Sequence, residues 1–316
     1  MKNPKLGYVN CDSKSCQQLK LRQIEHINQP GPMDYFTMPL LSRCIALITL
    51  FALIALTNST AAQIEQVPNV KNQKPAQFKS PCVIQFHGEI NWQLAKYFRS
   101  RVSQAKSAGH DLIVINIDSP GGLKSESLDL AELVRDIDWA YTVGFVPREA
   151  LSGAALLTLG CDELIVAEFG RLGDIGVIQF DPQLFAFRFA EEKITSKFIP
   201  QARVLATSKG RSPELAEAMI DKDYHVYELR TGDVVEFRGQ KSVDPALDGD
   251  WQLVPETKKG FLTVNGVRAK QLGLASGNAK DLEGVAQQIG FDLNNTRVIR
   301  HTSTDSIVYW LSLIHI

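Results

Sequence analysis

In the first half of the chain, short apolar runs typical of strands alternate with longer segments in which apolar positions recur every three or four residues. Cys82 to His87 alternates and ends at Gly88, which predicts a strand. Trp92 to Ala108 has helical spacing and stops at Gly109. Asp111 to Ile117 is a nearly continuous β-branched run, which is typical of a strand that is buried on both faces.

The alternation continues for several more elements. A helix is predicted from Ser125 to Ile137, followed by a strand at Tyr141 to Val146, a short small-residue helix at Ser152 to Leu159 and a strand at Glu163 to Ala167. This order predicts an α/β domain with parallel strand pairing. In the helix from Ser125, the predicted buried positions are Leu128, Leu130, Leu133 and Val134, and the predicted exposed ones are Ser127, Asp129 and Glu132.

The second half of the chain is less regular. Leu184 to Ser208 is long and partly amphipathic, and Ser212 followed by Pro213 predicts the start of a new helix. Residues 224–264 mix Val, Tyr, Phe and Trp with glycine-containing turns, which predicts a small antiparallel insertion. Helical spacing returns at Arg268 to Leu272 and at Lys280 to Ile289.

One apolar block precedes these elements. Cys44 to Leu56 is 13 residues long, follows Arg43 and is followed by small residues up to Ala62. This order is typical of a secretory signal peptide, and the block is shorter than the ~20 residues of a spanning helix. The alternative, a buried core helix, is disfavoured because the block has no polar face apart from Thr49. We therefore predict that residues 1–62 are an extension with a signal peptide, that 63–80 form a linker, and that the protein is exported to the periplasmic or extracytoplasmic face of a membrane.

The C-terminal segment, 291–316, ends in a second apolar stretch. Ile307 to Ile316 holds ten mostly apolar residues. The stretch is consistent with a terminal strand or with the first part of a truncated membrane region. The aromatic pair Tyr309 and Trp310 at its start is typical of a membrane interface.

Charge and cysteine content narrow the function classes. The chain carries 34 Lys and Arg against 35 Asp and Glu, and residues 63–316 alone have a formal charge of -4. Since no basic run is present, no nucleic-acid partner is predicted. Cys82 and Cys161 have apolar neighbours, which favours buried thiols over a disulfide. No metal-ligand motif or nucleotide-binding glycine pattern occurs, so no metal and no cofactor are predicted.

Two glycine-containing turns could carry chemistry. In Asp118-Ser-Pro-Gly-Gly122, Gly121 and Gly122 leave backbone N–H groups uncovered before a helix, and such groups can bind an anion or an oxyanion. Alternatively, the glycines are there only because the turn requires their backbone conformation. In the second turn, Glu149 to Ala155, Ser152 precedes the N–H of Gly153. Its hydroxyl could act as a helix cap or as a nucleophile beside an oxyanion-binding N–H.

A nucleophilic serine needs a base. No histidine pairs with an acid in a recognisable arrangement, so a lysine is the other route, because burial among apolar groups lowers a lysine pKa. Lys193 and Lys197 lie one helical turn apart, but Glu191 and Glu192 would oppose neutralisation. From the residues alone, both lysines could equally be solvated.

Taken together, three segments resemble the NfeD family of membrane-bound serine proteases, which belongs to the Clp protease and crotonase superfamily and is related to signal peptide peptidase A. The segments are Ile113 to Gly122, Ala150 to Leu157, and Gly160 to Ala167 with Leu172 to Gly176 after it. The resemblance implies a Clp protease/crotonase-like spiral of β-β-α units over 81–290, with the β-rich insertion at 224–264. Family members usually continue into membrane helices, in line with a truncated region after residue 291.

The resemblance also implies roles for individual residues. It makes Ser152 the nucleophile of a Ser-Lys dyad and Lys193, 41 residues later, its general base, with Lys197 as a substitute. It implies an oxyanion hole at Gly121, Gly122 and Gly153. It also implies that an extended peptide substrate binds by strand addition at Leu172, Gly173, Ile175 and Gly176.

We therefore predict a membrane-associated, homo-oligomeric serine endopeptidase whose substrates are apolar segments of membrane proteins. The first alternative is an acyl-CoA enzyme of the crotonase type, which export disfavours because coenzyme A is cytoplasmic. The second is a non-catalytic scaffold for membrane-protein assembly, in which Ser152 only caps a helix.

Overall fold

The structure is a computed structural model that describes residues 74–176, 178–181, 186–189, 192–232, 234–244 and 248–299, without the side chains of 178–181, 186–189 and 192–196. The predicted signal peptide, most of the predicted linker and the apolar stretch from Ile307 lie outside these residues. Contacts divide the chain into two units, Met1–Pro68 and Asn69–Ile316, and every described residue belongs to the second.

A five-stranded parallel sheet forms the centre of this unit. Its strands are β1 (Pro81–His87), β2 (Leu112–Asp118), β3 (Tyr141–Val146), β5 (Glu163–Val166) and β13 (Arg297–Ile299), in the order β13-β1-β2-β3-β5. Apolar clusters cover both faces: Ile113, Ile115 and Ile117 of β2 point into one cluster, while Leu112 and Val114 point into the other. The predicted parallel α/β domain is confirmed, and β13 lies beyond the boundary predicted at residue 290.

Three helices follow the first strands in the predicted order. They are α1 (Trp92–Ser107), α2 (Lys124–Arg135) and α3 (Gly153–Leu159). α1 begins where the Asn91 side chain accepts hydrogen bonds from the N–H groups of Gln93 and Leu94. Every residue of α3 is buried, so this helix lies inside the domain.

A buried arginine holds the C-terminal end of α3. Arg211 donates hydrogen bonds to the carbonyls of Leu159 and Cys161, at 3.4 and 2.7 Å, and to the carbonyl of Leu274 at 3.0 Å. These bonds satisfy carbonyls that a helix end leaves without intrahelical partners. Burial lowers the pKa of Arg211, while Cys161 and Asp162 act in the opposite direction.

Smaller sheets surround this centre. β4 (Glu149–Leu151), β6 (Arg171–Gly173) and β12 (Thr263–Asn265) form one sheet in the order β12-β6-β4, and β7 (Ile178–Asp181) pairs with β8 (Ala186–Phe189). The predicted β-rich insertion is confirmed as an antiparallel sheet of β9 (Val226–Thr231), β10 (Val234–Gly239) and β11 (Gln252–Leu253).

The remaining helices are α4 (Glu192–Ser208), α5 (Pro213–Ala218), α6 (Gly266–Gln271) and α7 (Leu282–Ile289), with short 3-10 helices at Gln240–Ser242 and Pro255–Lys258. α5 begins as predicted, because the Ser212 hydroxyl accepts a hydrogen bond from the Leu215 N–H and Pro213 occupies the first turn.

Two local predictions are wrong. Ser127, predicted to be exposed, is fully buried, because its hydroxyl donates a 2.8 Å hydrogen bond to the carbonyl of Leu123 and its side chain packs against Gly153. The segment Glu149–Leu151, predicted as part of a turn, is the strand β4. Both outcomes depend on tertiary contacts rather than on local periodicity.

The two cysteines in the described part of the chain are buried free thiols, as predicted. Burial raises the pKa of both Cys82 and Cys161 to about 12. Because the thiolate is the reactive form, we expect neither residue to react with iodoacetamide at pH 8 in the folded protein and both to react in 6 M guanidinium. Peptide mass spectrometry checks this result, and rapid labelling of Cys161 in native buffer would contradict the burial of this thiol.

Candidate functional site

The two predicted turns meet at one place. The Ser119 N–H donates to the Glu149 carbonyl at 2.9 Å, and the Leu151 N–H donates to the Ser119 carbonyl at 3.1 Å. These bonds join the end of β2 to β4 and carry Ser152, the next residue after β4, to the glycines of the first turn. A short strand too small to be read from periodicity therefore assembles the site.

The glycines are required for this close approach. A Cβ atom on Gly121 would lie 2.5 Å from the Ser152 Cβ and 2.9 Å from the Gly153 nitrogen, and Gly121 has a φ of +94°. A Cβ on Gly122 would lie 2.1 Å from the carbonyl oxygen of Ile90. Neither position has room for a side chain, so the backbone itself forms this wall of the site.

Ser152 has a backbone conformation that L-residues rarely adopt. Its φ is 53° and its ψ is -125°, and its side chain makes no capping hydrogen bond to α3. The Ser152 N–H instead donates to the Gly173 carbonyl at 3.0 Å, which holds the residue in this conformation. Such strain costs about 1–3 kcal/mol and is concentrated at functional sites. A role as helix cap alone does not account for this serine.

Two backbone N–H groups beside Ser152 are unpaired. Within the described residues, the amides of Gly122 and Gly153 have no hydrogen-bond acceptor. The Gly121 N–H, in contrast, donates to the Ser119 hydroxyl at 3.2 Å, so it is already occupied. Of the three glycines predicted for the oxyanion hole, Gly122 and Gly153 therefore keep a free donor.

Gly153 is fitted closely against α2. A Cβ at this position would lie 1.9 Å from the Ser127 oxygen and 2.5 Å from the Ser127 Cβ. We therefore expect Gly153→Ala to lower the free energy of unfolding by about 1–3 kcal/mol, because α3 must move away from α2. Urea denaturation measures the loss. Adding Ser127→Ala removes the oxygen, the closer of the two atoms, and should restore part of the stability; a double variant no more stable than Gly153→Ala would contradict this packing.

Ser152, Gly122 and Gly153 line a cavity of about 50 Å³, together with Lys124, Leu156, Ile175, Gly176 and Phe198. Lys124 is the functional candidate that the sequence analysis missed. It is the first residue of α2 and is half-buried. From sequence, a lysine at the start of a helix is expected to be solvated. The only sequence signal for a role in the site was its position two residues after Gly122.

The predicted base lies on α4, which borders the cavity through Phe198. Lys193 is the second residue of this helix, and its side chain lies outside the described atoms. Lys197, one turn later, is exposed. The dyad between Ser152 and Lys193 therefore stays a prediction.

The predicted substrate edge is only partly open. Leu172 and Gly173 lie in β6, which pairs with β4 on one side and β12 on the other, so their backbone does not form a free strand edge. The Ile175 N–H donates to the carbonyl of Met219 at 2.7 Å. Ile175 and Gly176 do line the cavity.

Comparison with known families gives a match over residues 82–248 to the family model described as NfeD1b, N-terminal domain. The chain belongs to this NfeD1b family. The resemblance predicted from the three segments is thereby confirmed.

Two curated relatives support the assignment. The chain is 25% identical to membrane protein NfeD1b of Bacillus subtilis over 237 residues. This aligned region covers 75% of this chain and 47% of the relative. The chain is 26% identical over 146 residues to membrane-bound protease PH1510 of Pyrococcus horikoshii, which covers 45% of this chain and 32% of the relative. The chain thus spans less than half the length of these two relatives.

Solved structures share the fold. The 1510-N membrane-bound stomatin-specific protease, as a serine-to-alanine variant, superimposes with a TM-score of 0.53 at 17% identity over 72% of this chain and 100% of that one. Its lysine-to-alanine variant in complex with a substrate peptide gives a TM-score of 0.54 at 17% identity over 75% of this chain and 99% of that one. The predicted fold class is confirmed.

The α-helices of the described residues are α1 to α7. None of these helices combines the length and the apolar character that crossing a membrane requires. In the same residues, no group of three or more His, Cys, Asp or Glu side chains is arranged to bind a metal ion.

Proposed function

We propose that this chain is a serine endopeptidase in which Ser152 is the nucleophile. The observation that carries the proposal is the junction of the two turns: a strained serine without a capping role, beside the unpaired amides of Gly122 and Gly153, in one cavity. Backbone donors fixed in this way stabilise the oxyanion of a tetrahedral intermediate.

The general base in this proposal is Lys193. In the 1510-N protease, the serine and the lysine that were replaced by alanine stand 41 residues apart. Ser152 and Lys193 have the same separation. The neutral amine of Lys193 would take the proton from the Ser152 hydroxyl as the oxygen attacks the peptide carbonyl, and would then return it to the leaving amine.

Relatives of this chain motivate the substrate class. The solved 1510-N protein is named a membrane-bound stomatin-specific protease, and PH1510 of Pyrococcus horikoshii is named a membrane-bound protease. We propose apolar segments of membrane proteins as substrates, bound beside Ile175 and Gly176, and we propose that the protein acts as a homo-oligomer at the extracytoplasmic face of a membrane.

The test compares the full chain with Ser152→Ala, Lys193→Ala and Lys197→Ala on an internally quenched peptide of Leu, Val and Ala. Ser152→Ala and Lys193→Ala should each lower kcat by at least about a thousandfold. Lys197→Ala, the matched control on the next helical turn, should cleave at the wild-type rate. Undiminished cleavage by Ser152→Ala would refute the proposal, and loss with Lys197→Ala but not with Lys193→Ala would reassign the base.

A fluorophosphonate probe separates this proposal from a non-catalytic scaffold. Wild type should form a covalent adduct at Ser152, detected by peptide mass spectrometry, because the oxyanion hole activates the serine towards phosphonates. If no adduct forms and no peptide is cleaved, a scaffold is favoured. Stoichiometric binding of an acyl-CoA in calorimetry would favour a crotonase-type enzyme instead.

A further inference from the structure

Lys124 supplies a cation to the cavity that contains Ser152. Its side chain is half-buried and lines that cavity. In the described part of the chain it forms no ion pair. The three acids on its own helix are contacted by arginines: Glu126 and Asp129 by Arg99, at 2.8 and 3.6 Å, and Glu132 by Arg135, at 4.0 Å.

The position of Lys124 is not explained by the stability of α2. A cation in the first turn of a helix is opposed by the positive end of the helix dipole. Among the residues that the structure describes, the others that line the cavity are Ser152, three glycines, Leu156, Ile175 and Phe198, and none of these carries a charge. A ligand in this cavity therefore meets one ammonium group without a compensating carboxylate among the lining residues.

Lys124 is also close to the proposed oxyanion hole. It follows the free Gly122 amide by two residues, a backbone distance of at most about 7 Å. A peptide whose scissile carbonyl lies at Gly122 and Gly153 advances by roughly 3.3 Å per residue. Side chains within about two residues of the scissile bond therefore come within reach of the ammonium group.

On the basis of the proposed peptidase function, we propose that Lys124 is a specificity-determining residue that favours an acidic side chain within two residues of the scissile bond. The ammonium group would pair with the substrate carboxylate in the partly desolvated cavity, where such a pair is screened less than on an open surface. Apolar segments that carry one Asp or Glu near the cleavage point would then be cleaved in preference to wholly neutral ones.

The experiment uses internally quenched ten-residue peptides of Leu, Val and Ala that carry either Glu or Gln at one of the two residues before or after the cleavage point. For wild-type full chain we expect kcat/KM to be about fivefold higher for Glu than for Gln at one of these positions, with the ratio falling towards 1 in 0.5 M NaCl. Lys124→Met should give a ratio near 1. Lys124→Glu should invert it, and Lys124→Arg should keep it.

Lys280→Met is the matched control, because Lys280 is an exposed lysine outside the cavity and its replacement changes the net charge equally. It should keep the wild-type ratio. A wild-type ratio near 1 at every position, or the same ratio in Lys124→Met as in wild type, overturns the inference while leaving the peptidase intact. Loss of all cleavage in both Lys124→Met and Lys124→Arg would assign Lys124 to proton transfer and also overturns it. Failure of the proposed function differs, since wild type then cleaves none of the peptides.

Discussion

Replacing Ser152 by glycine should abolish peptide hydrolysis and at the same time make the protein more stable. The residue has a φ of 53° and a ψ of -125°, a conformation that is costly for a residue with a Cβ and accessible to glycine. Its side chain makes no capping hydrogen bond whose loss would offset the relief of strain. We expect the free energy of unfolding to rise by about 1 kcal/mol and kcat to fall by at least about a thousandfold.

Ser152→Ala separates the two effects. Alanine also lacks the nucleophile but keeps the Cβ, so it should be as inactive as glycine and close to wild type in stability. Urea denaturation gives the stabilities, and the quenched-peptide assay gives the rates. If glycine and alanine gave the same stability, the strain at Ser152 would not be an energetic feature of the fold.

The second large effect concerns a buried ion pair remote from Ser152. Lys209 Nζ lies 2.5 Å from Asp162 Oδ1, and the two side chains are only 5% and 4% exposed. Asp162 Oδ2 accepts further hydrogen bonds from the N–H and the hydroxyl of Thr142, at 2.8 and 2.7 Å. The pair connects the beginning of β3 and β5 to the segment that follows α4. Lys209→Met removes the ammonium group that contacts the buried Asp162 carboxylate and should lower the free energy of unfolding by about 3–5 kcal/mol.

Two comparisons test this mechanism. Adding Asp162→Asn to Lys209→Met removes the buried negative charge, keeps an acceptor for Thr142, and should recover much of the loss. Lys222→Met breaks only the exposed 3.9 Å pair between Lys222 and Asp223 and should change stability by less than about 1 kcal/mol. A loss in Lys209→Met no larger than in Lys222→Met, measured by urea denaturation, would show that the buried pair does not stabilise the fold.

The long strands and helices could be predicted because burial on two faces leaves a strong pattern. β2 is a run of aliphatic residues, and packing against both apolar clusters requires such a run. β4 and β6 have three residues each, too few for any periodicity, and they form because they pair with each other. Their pairing builds the site, so its assembly could not be derived from local pattern.

The residues of the site also differ in how far the sequence could predict them. Ser152 and the neighbouring glycines could be selected because small residues in turns have either a conformational or a chemical reason. Ser127 was misjudged because a hydroxyl on a helix normally faces water, whereas here it donates to the Leu123 carbonyl and packs against Gly153. Apart from its position two residues after Gly122, Lys124 gave no signal in the sequence, since its place in the cavity depends on how α2 meets β4 and α3. Lys193 depended on the family resemblance alone.

The hydrogen bonds of Arg211 at the far end of α3 bear on how Ser152 moves. Because they connect Leu159 and Cys161 to Leu274, the last turn of α3 cannot fray unless the segment after α6 also opens. α3 has seven residues and is therefore only about 10 Å long, so this restraint extends to the serine that precedes it. Although Ser152 follows a short strand at a turn, we therefore expect it to unfold with the core rather than with a loop.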